Sequence, residues 1–191
     1  MVHGPPRPVR HQTGRRARGR LLRCSDPRWI HRHFRRRDEW LSPFEGKGED
    51  YGYAAFYASI DAVLLGRRTY EQCLTFREWP YPGKPCWVFS HGRMEITEPR
   101  VTWTDQNPHQ MVRELQSRKL QRAWLVGGGE LAVSFRRERL ISEYIVSVVP
   151  VILGAGIPLF AAGRPQEALK LVETNAYPSG IVQLRYLRAN A

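Results

Sequence analysis

The chain has only three cysteines, Cys24, Cys73 and Cys86, in 191 residues. They form no CxxC and their number is odd, so no disulfide framework is expected and a reducing, cytoplasmic setting fits. Cys24 with His31 and His33 matches no zinc-ligand spacing, so no metal is expected. No apolar run reaches the roughly 18 residues that span a bilayer. No charged start leads into an apolar h-region, so neither a membrane contact nor a secretory signal is expected. Lysine is absent from the first 37 residues, and acid almost so. That stretch holds 12 Arg against the single acid Asp26, a net charge of +11, whereas residues 38–191 hold 18 Lys+Arg against 17 acids, a net +1. A total of +12 resembles a nucleic-acid binder's balance. Its confinement to one end makes charge a poor guide to the rest.

Two regions follow. Residues 1–37 are rich in Arg, Gly, Pro and His, with no sustained period, and read as a disordered or loosely attached segment. Residues 38–191, about 154 in number, suffice for one ordinary core. Asp38–Tyr51 is polar and turn-rich around Trp40, Leu41 and Phe44, and Tyr53–Ser59 predicts a short helix with an aromatic face. Short apolar strands are predicted at Ala62–Leu65, Cys86–Phe89, Val101–Thr104, Ala123–Val126 and Glu143–Val149. Helices are predicted from Thr69 to about Leu74, from Asn107-Pro108 as cap and first helical residue, and over 130–137. In the tail, Val182, Leu184 and Tyr186 alternate with Gln183 and Arg185, the pattern of a half-exposed antiparallel strand. Strands alternating with helices predict an α/β, mostly parallel sheet with an antiparallel edge.

Three predicted strands run straight into Gly or Ser. In open α/β sheets ligands bind outside the carboxyl ends of strands, and helix starts attract phosphate. After the first strand come Gly66, Arg67, Arg68 and Thr69. Thr69 could cap a helix or meet a phosphate, and the arginines could neutralise charge; an ordinary capped helix with solvated arginines explains the same letters. After the second come Ser90, His91, Gly92 and Arg93, which suit a sugar phosphate or simply a polar turn. After the third come Gly127, Gly128, Gly129 and Glu130. Three glycines cost conformational entropy, which favours close ligand approach or an unusual backbone geometry. The spacing is not GxGxxG, so the dinucleotide fingerprint of that form is absent.

GRRTYE after a short strand, VFS with a nearby Arg, WLVGGGEL and VVPVILGAGIPLF occur here in one order and spacing. In these motifs, from roughly Trp40 to Leu187, the chain resembles the dihydrofolate reductase-like family, in the branch of the RibD C-terminal (riboflavin-biosynthesis reductase) domain. The resemblance implies a three-layer fold around a central mixed sheet and an NADPH-dependent reductase. It places cofactor phosphates at Gly66, Arg67, Thr69, Ser90, Arg93 and Gly127–Gly129, with Arg68 and Glu130 as neighbouring candidates. Two Arg-rich sites and no acid at the ribose position agree with NADPH over NADH on charge grounds. It also implies a small-molecule substrate and a homodimer. Ser142 in LISEY stands where the family often has Asp.

The front of the chain departs from the family, whose members open with a buried central strand and a Ser-Leu-Asp-Gly-like loop carrying an active-site acid. Here the place reads RLLRCSDPRWIHRHFRRR before DEWLSPFEG matches again. Codons for Pro27–Arg32, read one base later, can spell Leu-Asp-Gly-Phe-Ile-Ala. The single Trp29 codon constrains this reading most, because it forces the glycine. We therefore read about residues 10–37 as an out-of-frame translation, with the frame restored near Asp38. An Arg-rich nucleic-acid arm, an organelle transit peptide and a solvated tail are the rival readings. With its first strand missing or replaced, the protein is expected to be poorly stable and inactive, or to refill the gap with Arg20–Cys24 or Trp29–Phe34. Val88, Ile145 and Val148 would then flank the substitute. Three functions stand: an NADPH-dependent reductase acting on a small heterocycle or ribosylamino compound, a nucleotide-binding remnant without catalysis, or a nucleic-acid binder using the basic arm. No catalytic residue is assigned.

Overall fold

The structure, a computed structural model, describes residues 21–25 (backbone), 39–44, 48–154 and 166–189. Eight strands form one sheet: β1 Leu21–Ser25, β2 Ala62–Gly66, β3 Cys86–Phe89, β4 Val101–Thr104, β5 Arg122–Gly127, β6 Glu143–Val148, β7 Leu169–Ala176 and β8 Val182–Arg188. Their order across the sheet is β4-β3-β2-β5-β1-β6-β8-β7. Every pairing from β4 to β6 is parallel, and β6–β8 and β8–β7 are antiparallel. Four helices accompany it: α1 Tyr53–Ala58, α2 Arg67–Cys73, α3 Pro108–Ser117 and α4 Gly129–Arg137.

Alternation along the buried strands makes the layers. Ala62 and Leu64 of β2, with Ala123 and Leu125 of β5, face Met111 and Leu115 of α3 and Leu131 and Phe135 of α4. Val63 and Leu65, with Trp124 and Val126, face Tyr70 and Cys73 of α2 and the partly buried Tyr53, Phe56 and Tyr57 of α1. The aromatic face predicted for α1 meets Trp124, with the Phe56 ring edge-on at 5.0 Å. Burial pushes the Cys73 thiol up to about 11 and the Cys86 thiol up to about 12, so neither is a thiolate at neutral pH.

The helix predicted at Asn107 starts there in full. Asn107 accepts from the Gln110 N–H, and the Gln110 side chain accepts from the Asn107 N–H, a reciprocal capping box with Pro108 in the first turn. The helix predicted from Thr69 begins earlier, at Arg67. Gly66 is its cap, with no side-chain cap bond, so Thr69 lies buried in the first turn rather than at the cap.

The place of a missing first strand is filled by Leu21–Ser25, parallel between β5 and β6, with Cys24 opposite both Leu125 and Tyr144. The rest of residues 1–37 lies outside the described residues, as does the second candidate substitute, Trp29–Phe34. Of the three expected flanking residues, only Ile145 lies beside β1, opposite Ser25. Val88 is in β3, from which β2 and β5 separate β1, and Val148 pairs with Val182. The antiparallel end has three strands where two were predicted. β7 was missed because its alternation breaks at Val172, skipped in the register with β8, and its second half is polar.

At the amino-terminal end of β6, Glu143 is only 1% exposed. It pairs with Arg122 Nη2 and Arg185 Nη1, each at 3.5 Å. Burial raises its pKa, and the two arginines oppose that shift. A carboxyl whose folded pKa is raised stabilises most below the ordinary glutamate range, and that contribution fades as pH rises through the folded value. The unfolding free energy of the wild type minus that of Glu143→Gln should therefore fall as pH rises from the acid side toward neutrality. Urea unfolding across that range measures it, and a difference that stays flat or grows contradicts the assignment.

Candidate functional site

From β2 the chain runs outward through β3 to β4, then returns across α3 to β5 on the other side of β2. The β2/β5 junction is thus where strand order reverses, the position at which open α/β sheets leave a crevice beyond their carboxyl ends. Because the strands are parallel, the ends of β3, β2 and β5 lie along one edge. Ser90, Gly66 and Gly127 stand there in that spatial order. α2 rises from this edge on one face and α4 on the other.

The glycines meet at the junction. The pairing of β2 with β5 slips by one residue, Leu64 facing Leu125 and Leu65 facing Gly127. Such irregularities re-aim the chain beside sites. A Cβ on Gly66 would lie 3.4 Å from the Gly127 carbonyl oxygen and 3.7 Å from Gly128 Cα. Gly127 has φ 144° and Gly128 φ 69°, conformations that side-chain-bearing residues rarely adopt. A Cβ on Gly127 or Gly129 would meet nothing within 4 Å, so the outer side of the run is open. The unusual backbone expected of the run is this pair of positive φ angles. Thr69 Oγ1 faces the same backbone, 4.0 Å from a Cβ placed on Gly128.

The polar side chains divide. Arg67 Nε binds Glu71 Oε1 at 2.6 Å, an i,i+4 pair legible in GRRTYE but not anticipated. Arg68 and Arg93 are exposed and have no ion-pair partner among the described residues. Ser90 Oγ donates to the Gly92 carbonyl at 2.8 Å, and Trp103 Nε1 donates to the same oxygen at 3.2 Å, so this loop is a tied polar turn. Glu130 is exposed in the first turn of α4, where its carboxylate complements the helix dipole and would repel an anion. At this position the backbone N–H, not the side chain, suits a phosphate.

A backbone cradle kept clear by glycine and a helix amino terminus, with exposed guanidinium groups on the same edge, define an α/β protein with a crevice at the carboxyl ends of β2 and β5. The model of the RibD C-terminal domain matches residues 81–183. The YwjB protein of Bacillus subtilis (strain 168) is 38% identical over 152 residues, 79% of this chain and 86% of its own length. YyaP of the same organism is 32% identical over 149 residues, covering 72% and 79%. The chain belongs to the RibD C-terminal domain family. Among solved structures, a protein of Shewanella sp. PV-4 assigned to riboflavin biosynthesis superposes with TM-score 0.70 at 22% identity, over 89% of this chain and 98% of its own. A Thermotoga maritima diaminohydroxyphosphoribosylaminopyrimidine deaminase/5-amino-6-(5-phosphoribosylamino)uracil reductase superposes with TM-score 0.61 at 14% identity, over 89% of this chain and 57% of its own. At these identities the likeness is one of fold.

Gly128→Ala should destabilise the protein by about 1–3 kcal/mol, the cost of holding a Cβ-bearing residue at positive φ outside the left-handed helical well. Chemical denaturation checks this, and a neutral result would mean that the run does not need its positive φ.

Proposed function

We propose that the chain is an NADPH-dependent reductase, similar to 5-amino-6-(5-phosphoribosylamino)uracil reductases, that delivers hydride to a small heterocyclic or ribosylamino substrate. The observation that carries this reading is the glycine-cleared crevice between β2 and β5, with the α4 amino terminus on one side and Arg68 on the other. The residues fit a phosphorylated dinucleotide. The open side of Gly127–Gly129 gives backbone N–H groups room to receive a pyrophosphate. Arg68 and Arg93 supply charge for a further phosphate, whereas Arg67 is already neutralised by Glu71. Thr69 offers a hydroxyl beside Gly128.

The bound dinucleotide supplies the hydride, and the protein's work is to position and to exclude water. β2 and β5 hold the crevice rigid because their side chains are buried on both faces. The buried thiols take no part, since burial keeps them protonated. The active-site acid of the family belongs to the loop after the first strand, outside the described residues. A small-molecule substrate, a homodimer and a cytoplasmic setting complete the reading.

NADPH binding by the full chain, followed by fluorescence of the reduced nicotinamide, should weaken about tenfold or more in Arg68→Ala, the scale of a lost charge-assisted contact. NADH binding should change little. Equal losses for both would remove Arg68 from 2′-phosphate recognition. Binding without turnover on pyrimidine or pterin substrates would favour the remnant reading, which rests on the anomalous front of the chain. The coding DNA around codons 10–38 tests that anomaly. A neighbouring frame spelling Leu-Asp-Gly supports the frame reading, and its absence sinks it. Salt-dependent DNA binding lost on removing residues 1–20, which leaves β1 in place, would support the nucleic-acid reading.

A further inference from the structure

The carboxyl edge of the sheet continues past Gly127, beyond β1 and β6, to the turn between β7 and β8. Val182 of β8 is antiparallel to and opposite Val148 of β6, which sets that turn at this edge. α1 ends just before β2 begins at the opposite edge, so its amino end returns to this one. There Tyr51, just before α1, meets Tyr177, just after β7. Their rings stand 5.0 Å apart and 78° from parallel. α1 lies against Trp124 of β5, whereas Tyr177 leads into β8. The contact therefore spans the carboxyl ends of the two strands between them, β1 and β6.

Both tyrosines are fixed from several sides. Tyr51 has φ 54° and Gly52 φ 74°. A bulky residue keeps such a backbone only where its surroundings impose it. Here the Asp50 carboxylate accepts from the Gly52 and Ala54 N–H groups at 2.8 and 3.1 Å, and the Asp50 carbonyl accepts from the Tyr53 N–H at 2.9 Å. The Tyr51 hydroxyl donates to the Phe44 carbonyl at 2.8 Å. Across the contact, the Tyr177 N–H donates to the Ile181 carbonyl at 2.9 Å, and the Gly180 N–H donates to the Tyr177 carbonyl at 2.8 Å. Ile181 is fully buried, and a Cβ on Gly180 would lie 3.2 Å from Pro150 Cγ, so the turn is seated on the segment after β6. Both tyrosines are nevertheless only half-buried.

The two ends of this edge differ in chemistry. Arg68 and Arg93 stand exposed at the β2–β3 end. Among the described residues 48–52, 149–154 and 176–182, the charged side chains are the acids Glu49 and Asp50, and Val151, Ile152 and Leu153 are exposed. A dinucleotide with its pyrophosphate at Gly127–Gly129 and its 2′-phosphate at the arginines sends its nicotinamide the other way, toward β1 and β6. The hydride acceptor must lie against that ring. We propose that Tyr177 is the stacking platform for the acceptor, selecting a flat heteroaromatic ring over an aliphatic carbonyl compound, and that Tyr51 is the positioning residue that sets the angle of the platform. The proposal rests on the reductase reading and adds to it the part of the acceptor that is recognised and the residues that choose it. Every heteroaromatic ring has a π-face to stack on an aromatic side chain. A platform already held rigid loses little freedom on binding. Glu49 and Asp50 repel a phosphate here, so the ring of the acceptor faces this end.

Equilibrium binding to the full chain tests this, with pterin and 5,6-diaminouracil as flat probes and cyclohexanone as the aliphatic one. With NADPH bound, the wild type is expected to hold both flat rings, with pterin emission quenched, and to hold cyclohexanone far more weakly. Tyr177→Leu should weaken binding of the flat rings about tenfold or more, and Tyr177→Phe should keep it. Tyr51→Ala should reduce the quenching of pterin, and Tyr51→Phe should restore it. NADPH affinity and circular dichroism should stay unchanged in all four variants. A wild type that binds NADPH but neither flat ring, or flat-ring binding indifferent to Tyr177→Leu, overturns the proposal and leaves the reductase reading standing. A wild type that binds no NADPH overturns the reductase reading, and the proposal with it.

Discussion

The parallel pairing of β2 with β5 is the contact on which the arrangement rests. It brings together two strands that lie about sixty residues apart in sequence, a separation whose loop-closure entropy grows only slowly with length. Their side chains are buried on both faces, so the pairing is held by the two cores at once. It also determines where α2 and α4 begin. Each helix must start where its strand ends, and alternate faces must be covered, so two helix starts flank one crevice. Asp61 reinforces the opposite end, accepting from the Gln121 and Arg122 N–H groups at 2.7 and 2.8 Å.

The sheet divides into two halves with different environments. Across β3, β2 and β5 both faces are covered and the strand interiors are short apolar runs, while the edge strand β4 leaves Thr102 exposed. From β6 to β7 the strands mix polar and apolar residues, carry ion pairs such as Arg185 with Glu173 at 3.1 Å, and leave the edge strand β7 exposed. Such an edge invites pairing unless something blunts it.

β1 joins the two halves, and its sequence is the least suited to that place. It is five residues long and lies between buried neighbours. A central strand must satisfy backbone groups on both sides, and each buried group left unpaired costs roughly 1–3 kcal/mol. That demand is met by backbone alone, which is why a stretch of unusual composition can stand there. The chemistry of a reductase asks more, because it needs particular side chains in the loop that follows. Backbone placement and catalytic competence are separate requirements on this segment.

The covered half is legible in the amino-acid sequence. CWVF and VTWT are strands at their predicted bounds, and Asn107-Pro108 opens its helix, because apolar or β-branched runs and caps are local signals that tertiary packing reinforces. Gly66 and Gly127–Gly129 stand out as unusual, since glycine in such places has few structural excuses. Their contact is not legible, because nothing local says that β2 and β5 are neighbours. Arg67 and Arg68 are equivalent as letters; the side chain of Glu71 four residues on separates them. β7 is hidden because a skipped residue breaks the period of two on which strand reading depends. Local patterns therefore suffice for element identity and for the set of candidate groups. Which of them share a crevice, which are already paired, and which edge stays open are settled by strand order, a property of contacts between distant residues.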